Sequence, residues 1–323
     1  MTDKQNTWEI LHFGRPDRIT GGIAPVHMAS YAGVDHTSAD GGGHHLPVGA
    51  RWRDLWGVEW HKEHDGVMGF PKGNPLADLP NALETYRWPD PDAPELVNAI
   101  YQAVAQADRQ TVFIGGSHRD TLWERAYMLC GMEQLMCLIH EEPDAVRTLL
   151  HRIMDFQLGI AAHYLRAGVE VVFLTDDLGM QHGPLLSPAQ VYSFLLPEYH
   201  RLTSLYRSHG VVMSFHSCGY IEHLIDMFMD LGVKVLNPVQ ASANDLAKVR
   251  QRTQGRMALQ GALSSQIMME GPVERIQAEV KRLIGLLGRH GGYFCCPDQG
   301  MPWPEAHWQA YMEALERYGR FMG

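Results

Sequence analysis

From residue 111 onward, short apolar runs alternate with longer stretches whose apolar residues recur every three or four positions. "TVFIG" (residues 111–115) is apolar and β-branched and reads as a strand. "RDTLWERAYMLCGMEQLMCLIHE" follows with helical periodicity, and its Cys130 and Cys137 stand among Leu, Met and Ile as core residues. A second helix is predicted over "EPDAVRTLLHRIMDFQLGIAAHYLRAG", with Glu-Pro at its start and Gly168 after its end. "VEVVFLTDDLG" is a strand that runs out into two aspartates. "SPAQVYSFLLPEYHRLTSLYRSHG" is a helix opened by Ser187 as N-cap and Pro188 at the first helical position. Strand "VVMSFHSCG", helix "IEHLIDMFMDLG" and strand "VKVLNPVQ" come next. They are followed by "SANDLAKVRQRTQG", strand "RMALQGA", a helix over about residues 271–289, strand "GGYFCCP" and the helix "WPEAHWQAYMEALERYGRFM".

Strands separated by helices argue for a parallel sheet. Six are readable, and one or two more are expected in the first 110 residues, around "GGIAPVHMASYAG". That number suits an α/β fold of the (β/α)8 TIM-barrel type, with residues 1–323 as a single domain. Residues 1–110 differ in character. They are rich in Gly, Pro, Trp and His, show no strong helix before "PELVNAIYQAVAQ", and read as a loop and cap elaboration of the barrel.

Composition narrows the function classes. Hydrophobic residues make up 45% and charged residues 20%, as in a soluble globular protein with a large core. The net charge of −10 argues against a nucleic-acid binder, which needs a basic face to neutralise phosphates. No run approaches the ~20 apolar residues of a membrane span, and the N-terminal stretch has no apolar signal core, so a cytoplasmic protein is expected. Five cysteines are too few and too scattered for a disulfide framework.

In a (β/α)8 barrel the functional groups lie at the C-terminal strand ends. Here those ends carry Ser117 and His118, then Asp176 and Asp177, His216 and Cys218, Asn237 and Gln240, Gln260, and finally Cys295, Cys296, Asp298 and Gln299. Alternate strand residues share a face, so His216 and Cys218 point together and Ser217 points away. Of the adjacent pair Cys295 and Cys296, only one can face the interior. One His and two Cys, with a carboxylate or substrate as fourth ligand, suit zinc. The plainer alternatives are an ordinary strand end carrying a thiol, and aspartates that cap a helix. His36, His44, His45, His61 and His64 fit no metal-site spacing and read as solvated or substrate-lining residues.

These stretches resemble the uroporphyrinogen decarboxylase superfamily, and within it the cobamide-dependent methyltransferases. The likeness rests on "RPDRI", "WGVEW", "NPLADL" with "YRWPDP", "WERAYMLCGMEQLM", "TDDLGMQHGPLLSP", "FHSCGYIEHLIDMFMDLGVKVLNPVQ" and "GGYFCCPDQGMP". It covers nearly the whole chain. It implies a barrel with a deep site at its C-terminal rim. The arginine-rich "RQAGR"-like stretch of true uroporphyrinogen decarboxylases is missing; the corresponding region reads "GGIAPVHMASYAG", which counts against a tetrapyrrole substrate. The methyltransferase branch holds zinc through an HxC motif, matched by His216 and Cys218, and a later cysteine. That cysteine follows a Pro-Gly pair, a place taken here by Gln299 in "CCPDQG", with Cys295 and Cys296 ahead of the proline.

The resemblance implies a zinc-dependent methyltransferase or demethylase. It would move a methyl group between a small substrate (a thiol, a methoxylated compound or a methylamine) and a corrinoid. Expected metal ligands are His216, Cys218 and Cys296, with Cys295 or a carboxylate as substitutes, or no metal at all. Asp176 and Asp177 are expected as exchangeable ligand and proton handler. Gln181, Asn237, Gln240, Gln260 and Gln299 would line the pocket, with Trp88 and Tyr220 as walls. The chain lacks the "DxHxxG" signature of cobalamin modules, so cobalamin would come from a partner corrinoid protein or free in solution. The family also makes a homodimer plausible. The rival readings are a cofactor-free decarboxylase using Asp177 and His216, and a non-enzymatic carrier of a tetrapyrrole or corrinoid.

Overall fold

The computed structural model describes residues 1–34 and 46–321. Its strands are β1 (Val26–Met28), β2 (Arg51–Arg53), β3 (Glu59–His61), β4 (Phe70–Gly73), β5 (Phe113–His118), β6 (Val171–Thr175), β7 (Val212–His216), β8 (Val235–Asn237), β9 (Ala258–Leu263) and β10 (Tyr293–Pro297). A seven-stranded parallel sheet has the order β1-β5-β6-β7-β8-β9-β10, and β2, β3 and β4 form a separate antiparallel sheet.

The large sheet is curled. Laid flat at about 4.8 Å per strand, its edges would stand about 29 Å apart. Instead one apolar cluster draws Val26, Phe113, Val171, Val212, Val235, Ala258 and Phe294 from all seven strands. Nearly all of these are the first residue of their strand, so the cluster fills the N-terminal end of the barrel. Ile10 and Leu11 of the helix Asp3–Leu11 complete it. The residues of opposite parity, among them Ile114, Val172, Leu174, Phe215, Leu236 and Cys295, pack outward against the helices in the main core.

Three expectations change. Among the described residues the parallel sheet has seven strands, not eight. Between the first helix and β1 the chain runs "TGGIAP", where two glycines and a proline without N–H make a poor ladder. Its one visible tie to β10 is the Cys295 amide donating to the Thr20 carbonyl at 2.9 Å. Next, residues 1–110 are not one cap. The helix Asp3–Leu11, held by a Thr2–Gln5 capping box, plugs the barrel bottom, β1 is the barrel strand expected around "GGIAPVHMASYAG", and β2–β4 form a sheet of their own. Finally, the single helix expected before residue 142 breaks at Gly131, whose φ of 94° suits glycine alone, into Trp123–Cys130 and Met132–Glu141. Cys130 is buried as expected, but Cys137 on the second piece is exposed. No helix among the described residues is long and apolar enough to cross a membrane.

If the first helix is a plug, Ile10→Ala opens a cavity beneath the barrel and costs about 2–4 kcal/mol of stability. Urea unfolding followed by circular dichroism measures this; a loss under 1 kcal/mol contradicts the plug.

Candidate active site at the C-terminal end of the barrel

The loops after β6 and β7 touch backbone to backbone. Gly179 and Gly219 face each other, and a Cβ on either would come within 2.6 Å of the opposite main chain. Gly219 also has φ of 79°. The contact is fastened by the Tyr220 amide donating to the Met180 carbonyl at 2.8 Å and the Leu178 amide donating to Ser217 Oγ at 3.0 Å. A third tie joins the functional side chains: the Cys218 amide donates to Asp177 Oδ1 at 2.8 Å.

This clasp gathers Asp177, His216 and Cys218 into one group of metal-ligating side chains, with ligand atoms all within 4.8 Å of one another. His216 Nε2 stands 3.2 Å from Cys218 Sγ and 3.7 Å from Asp177 Oδ1. His216 Nδ1 lies 2.8 Å from Asn237 Oδ1, an acceptor, so Nδ1 carries the hydrogen and Nε2 offers its lone pair to the group. The Gln299 amide donates to Cys218 Sγ at 3.0 Å. Burial, and after it the charge of Asp177, push the Cys218 thiol up to about 12.

The other candidates are placed as follows. Asp176 is fully buried and turned away from this group. It accepts from the amides of Leu122, Trp123 and Glu124 at 2.9, 2.8 and 2.6 Å and from the Tyr199 hydroxyl, and so anchors the start of the helix Trp123–Cys130. Burial pushes its pKa up to about 7, against the pull of Tyr199 and the amides. Gln240 accepts from the Gly219 amide and braces the loop. Cys295 is buried against the helices. Cys296 faces inward beside Gln260, whose amide is 3.8 Å from its sulfur, and is not in the metal-ligating group. Trp88 packs edge-on against Tyr86 and Trp56, Tyr220 stacks on His223, and Gln181 is exposed on its loop. His118 is buried between Gln157 and Tyr206, and burial lowers its pKa to about 4. His61 and His64 join no metal-ligating group among the described residues; His36, His44 and His45 lie outside them.

Asp177, His216, Cys218 and Gln299 line a cavity of about 550 Å³. Trp60, Met68 and Phe70, from β3, β4 and the turn between them, form one wall, and Ser117, Arg119, Asp120, Glu124 and Tyr127 another. A crevice of about 770 Å³ lies elsewhere, between residues 17–21 and the helix Glu305–Gly319. Its arginines are already paired on the surface, Arg320 with Glu316 and Arg18 with Asp3, and it is remote from the strand ends, so the rim cavity is the candidate site.

Comparison with known proteins bears on the family and the fold. The family model for Uroporphyrinogen decarboxylase (URO-D) matches residues 69–318, well over half of the chain. The chain belongs to the URO-D family. A curated uroporphyrinogen decarboxylase from Methylococcus capsulatus is 26% identical over 219 residues, 64% of this chain and 59% of that protein's length. A methyltransferase from Methanosarcina mazei shares the fold with a TM-score of 0.72 at 19% identity, over 98% of this chain and 99% of that one.

Sequence reading missed part of this URO-D pocket. Arg119, Asp120, Glu124 and Tyr127 follow β5 in "SHRDTLWERAY", where polar residues after a strand were visible, but a helix pattern alone does not show that Glu124 and Tyr127 turn toward the cavity. Asp120 is bonded to the buried Arg125 at 3.0 Å, and Arg125 also holds Asp54 at 2.8 Å. Burial, then Asp120, Asp177 and Asp176, push the Glu124 carboxyl well above its usual range; Tyr127 donates to its Oε1 at 3.1 Å.

The two neighbouring aspartates separate by experiment. Asp176→Ala leaves three amides and a hydroxyl without their acceptor and costs about 3 kcal/mol or more. Asp177→Ala, at a half-exposed position, costs under about 1 kcal/mol. Denaturant titration of both variants tests this, and equal losses contradict the assignment of Asp176 to the helix start.

Proposed function

We propose that this URO-D family protein is a zinc-dependent methyltransferase or demethylase of the cytoplasm, passing a methyl group between a small substrate and a corrinoid supplied by a partner protein or free. The observation that carries the reading is the group of Asp177, His216 and Cys218 at adjoining strand ends, facing a cavity of substrate size. The likeness in fold to the Methanosarcina methyltransferase supports it.

The donor set fits zinc. Bonds of about 2.0–2.3 Å at tetrahedral angles set ligand atoms about 3.3–3.6 Å apart. The separations of 3.2 and 3.7 Å about His216 Nε2 bracket that range. Imidazole, thiolate and carboxylate are all zinc ligands, and a fourth position stays open to the cavity. Zinc there would supply Lewis-acid stabilisation of the charge on the heteroatom that gains or loses the methyl group.

The chain's own residues do the rest. Asn237 fixes the His216 ring and its tautomer. The Gln299 amide supports negative charge on the Cys218 sulfur. Glu124, its carboxyl pushed well above the usual range by burial and then by Asp120, Asp177 and Asp176, stands in the cavity wall with Tyr127 donating to its Oε1. Trp60, Met68 and Phe70 keep water from one side.

Elemental analysis of protein purified without chelator tests the reading. About one zinc per chain is expected, lost in His216→Ala and Cys218→Ser and kept in Cys295→Ser and Cys296→Ser. Asn237→Ala should weaken zinc binding about 10- to 100-fold. Methyl transfer from methylcobalamin to a panel of thiols, or to cob(I)alamin from methoxyarenes and methylamines, should stop on chelation. Decarboxylation of uroporphyrinogen that survives chelation would instead establish the cofactor-free alternative.

The thiol adds a pH dependence. Cys218 without metal is protonated at neutral pH, so zinc uptake must expel its proton. Apparent zinc affinity should therefore rise about tenfold per pH unit between pH 6 and 8. Competition titrations at three pH values measure the slope; a flat profile excludes Cys218 as a ligand.

A further inference from the structure

The barrel interior is filled at one end only. Below, the layer from Val26 to Phe294 is packed against the N-terminal helix. Above it, the inward positions of the same parity include Met28, Phe173, Asn237, Gln260 and Cys296, with Ser117, Thr175 and His216 nearer the rim, all at least partly exposed, while Gly115 and Ser214 among them are buried. Met28 points into the barrel yet is 46% exposed. In a closed core this level would be packed shut. Here the partly exposed side chains of Asn237, Gln260 and Cys296 leave the lumen incompletely filled.

That lumen carries no Asp, Glu, Lys or Arg at any inward strand position. Gln260 offers an amide whose bond among the described residues is a long one, 3.8 Å to Cys296. Gly22 stands over it, where a Cβ would come within 3.0 Å of Nε2, so only a residue without a side chain leaves the amide reachable. Cys296 is partly exposed, yet its enclosure by neighbouring groups pushes its thiol up to about 12. The ionisable groups of the cavity stand on the rim, Arg119, Asp120, Glu124 and Asp177, and Arg125 behind them is held by Asp54 and Asp120.

We infer that the substrate is an uncharged molecule with a hydrogen-bonding group, its body lying in the upper lumen against Gln260 and its reacting atom facing Asp177, His216 and Cys218. The inference rests on the rim being the reacting site, and it names the substrate class for that site. A carboxylate entering the lumen would shed its water and meet no cation at the inward strand positions. An ammonium would likewise meet no anion at those positions. A polycarboxylated tetrapyrrole is the least suited of all.

Three probes of one size separate the charges: 3-methoxybenzamide, 3-methoxybenzoate and 3-methoxybenzylamine. Their dissociation constants for the zinc-loaded protein are read by calorimetry, in wild type and in Gln260→Arg. The amide should bind at least tenfold more tightly than either ion, and Gln260→Arg should reverse the order in favour of the benzoate. Equal or tighter binding of the benzoate or the benzylamine to wild type overturns the inference, as does an order unchanged in Gln260→Arg. Methyl transfer to cob(I)alamin from each probe is followed in parallel. Binding in the expected order without transfer counts against the methyltransferase reading and leaves the neutral-substrate inference standing.

Discussion

The contact between Gly179 and Gly219 is the constraint on which the site depends. Two loops from adjacent parallel strands meet there with no side chain between them, and a Cβ on either glycine would meet backbone at 2.6 Å. Backbone cannot move aside as a flexible side chain can. The spacing of Asp177 from Cys218 is therefore set by main-chain contact, and the Cys218 amide bond to Asp177 Oδ1 follows from it. Gln240 and Asn244 hold the same loop from the β8 side, Gln240 through the Gly219 amide and Asn244 through the Ile221 amide and the Gly219 carbonyl. The ligating atoms are thus held on rigid elements, which suits a site whose geometry must exist before its ligand arrives.

Stability and chemistry occupy opposite ends of the barrel. The bottom layer is wholly apolar and sealed by a helix that precedes the first strand, so it supports closure of the sheet without involving the rim. The rim holds the carboxylates, and they differ in how they are satisfied. Asp176 has four donors and fixes a helix; Asp120 has Arg125. Glu124 has one hydroxyl and three acidic neighbours, and burial with those neighbours pushes its carboxyl well above the usual range. Similar residue types within one small region are separated by their hydrogen bonds, their burial and their charged neighbours.

Much of the fold was legible because a parallel barrel writes itself as apolar runs between amphipathic helices, and six of the seven barrel strands were read that way. The break at Gly131 was not, because the apolar period continues across it. The plug helix was missed because "DKQNTWEIL" has a weak amphipathic pattern and gains its place by packing Ile10 and Leu11 into the barrel. At the site, period-two alternation placed His216 with Cys218 correctly. The same rule left the partner of Asp177 open and could not choose between Asp176 and Asp177. That choice depends on where a helix start from β5 lies in space, which no spacing records.

The position of the third sulfur shows how far strand geometry constrains chemistry. Parity sends Cys295 outward to the helices and Cys296 into the lumen, and β8 and β9 lie between that strand and β7, so neither thiol stands beside Cys218. Residue 299 is past the strand end, free to fold back over the rim, and it does so: the Gln299 amide reaches Cys218 at 3.0 Å. An amide there changes the charge of the site. Asp177 and a Cys218 thiolate together contribute two negative charges, which a divalent ion would balance, whereas a second thiolate would leave a net anion. A neutral centre attracts electron density from a substrate heteroatom more strongly than an anionic one, and it sits more easily above a lumen without counter-charges. The uncharged lumen and the single thiolate therefore describe one electrostatic design: charge is balanced within the metal-ligating group and kept out of the space beneath it.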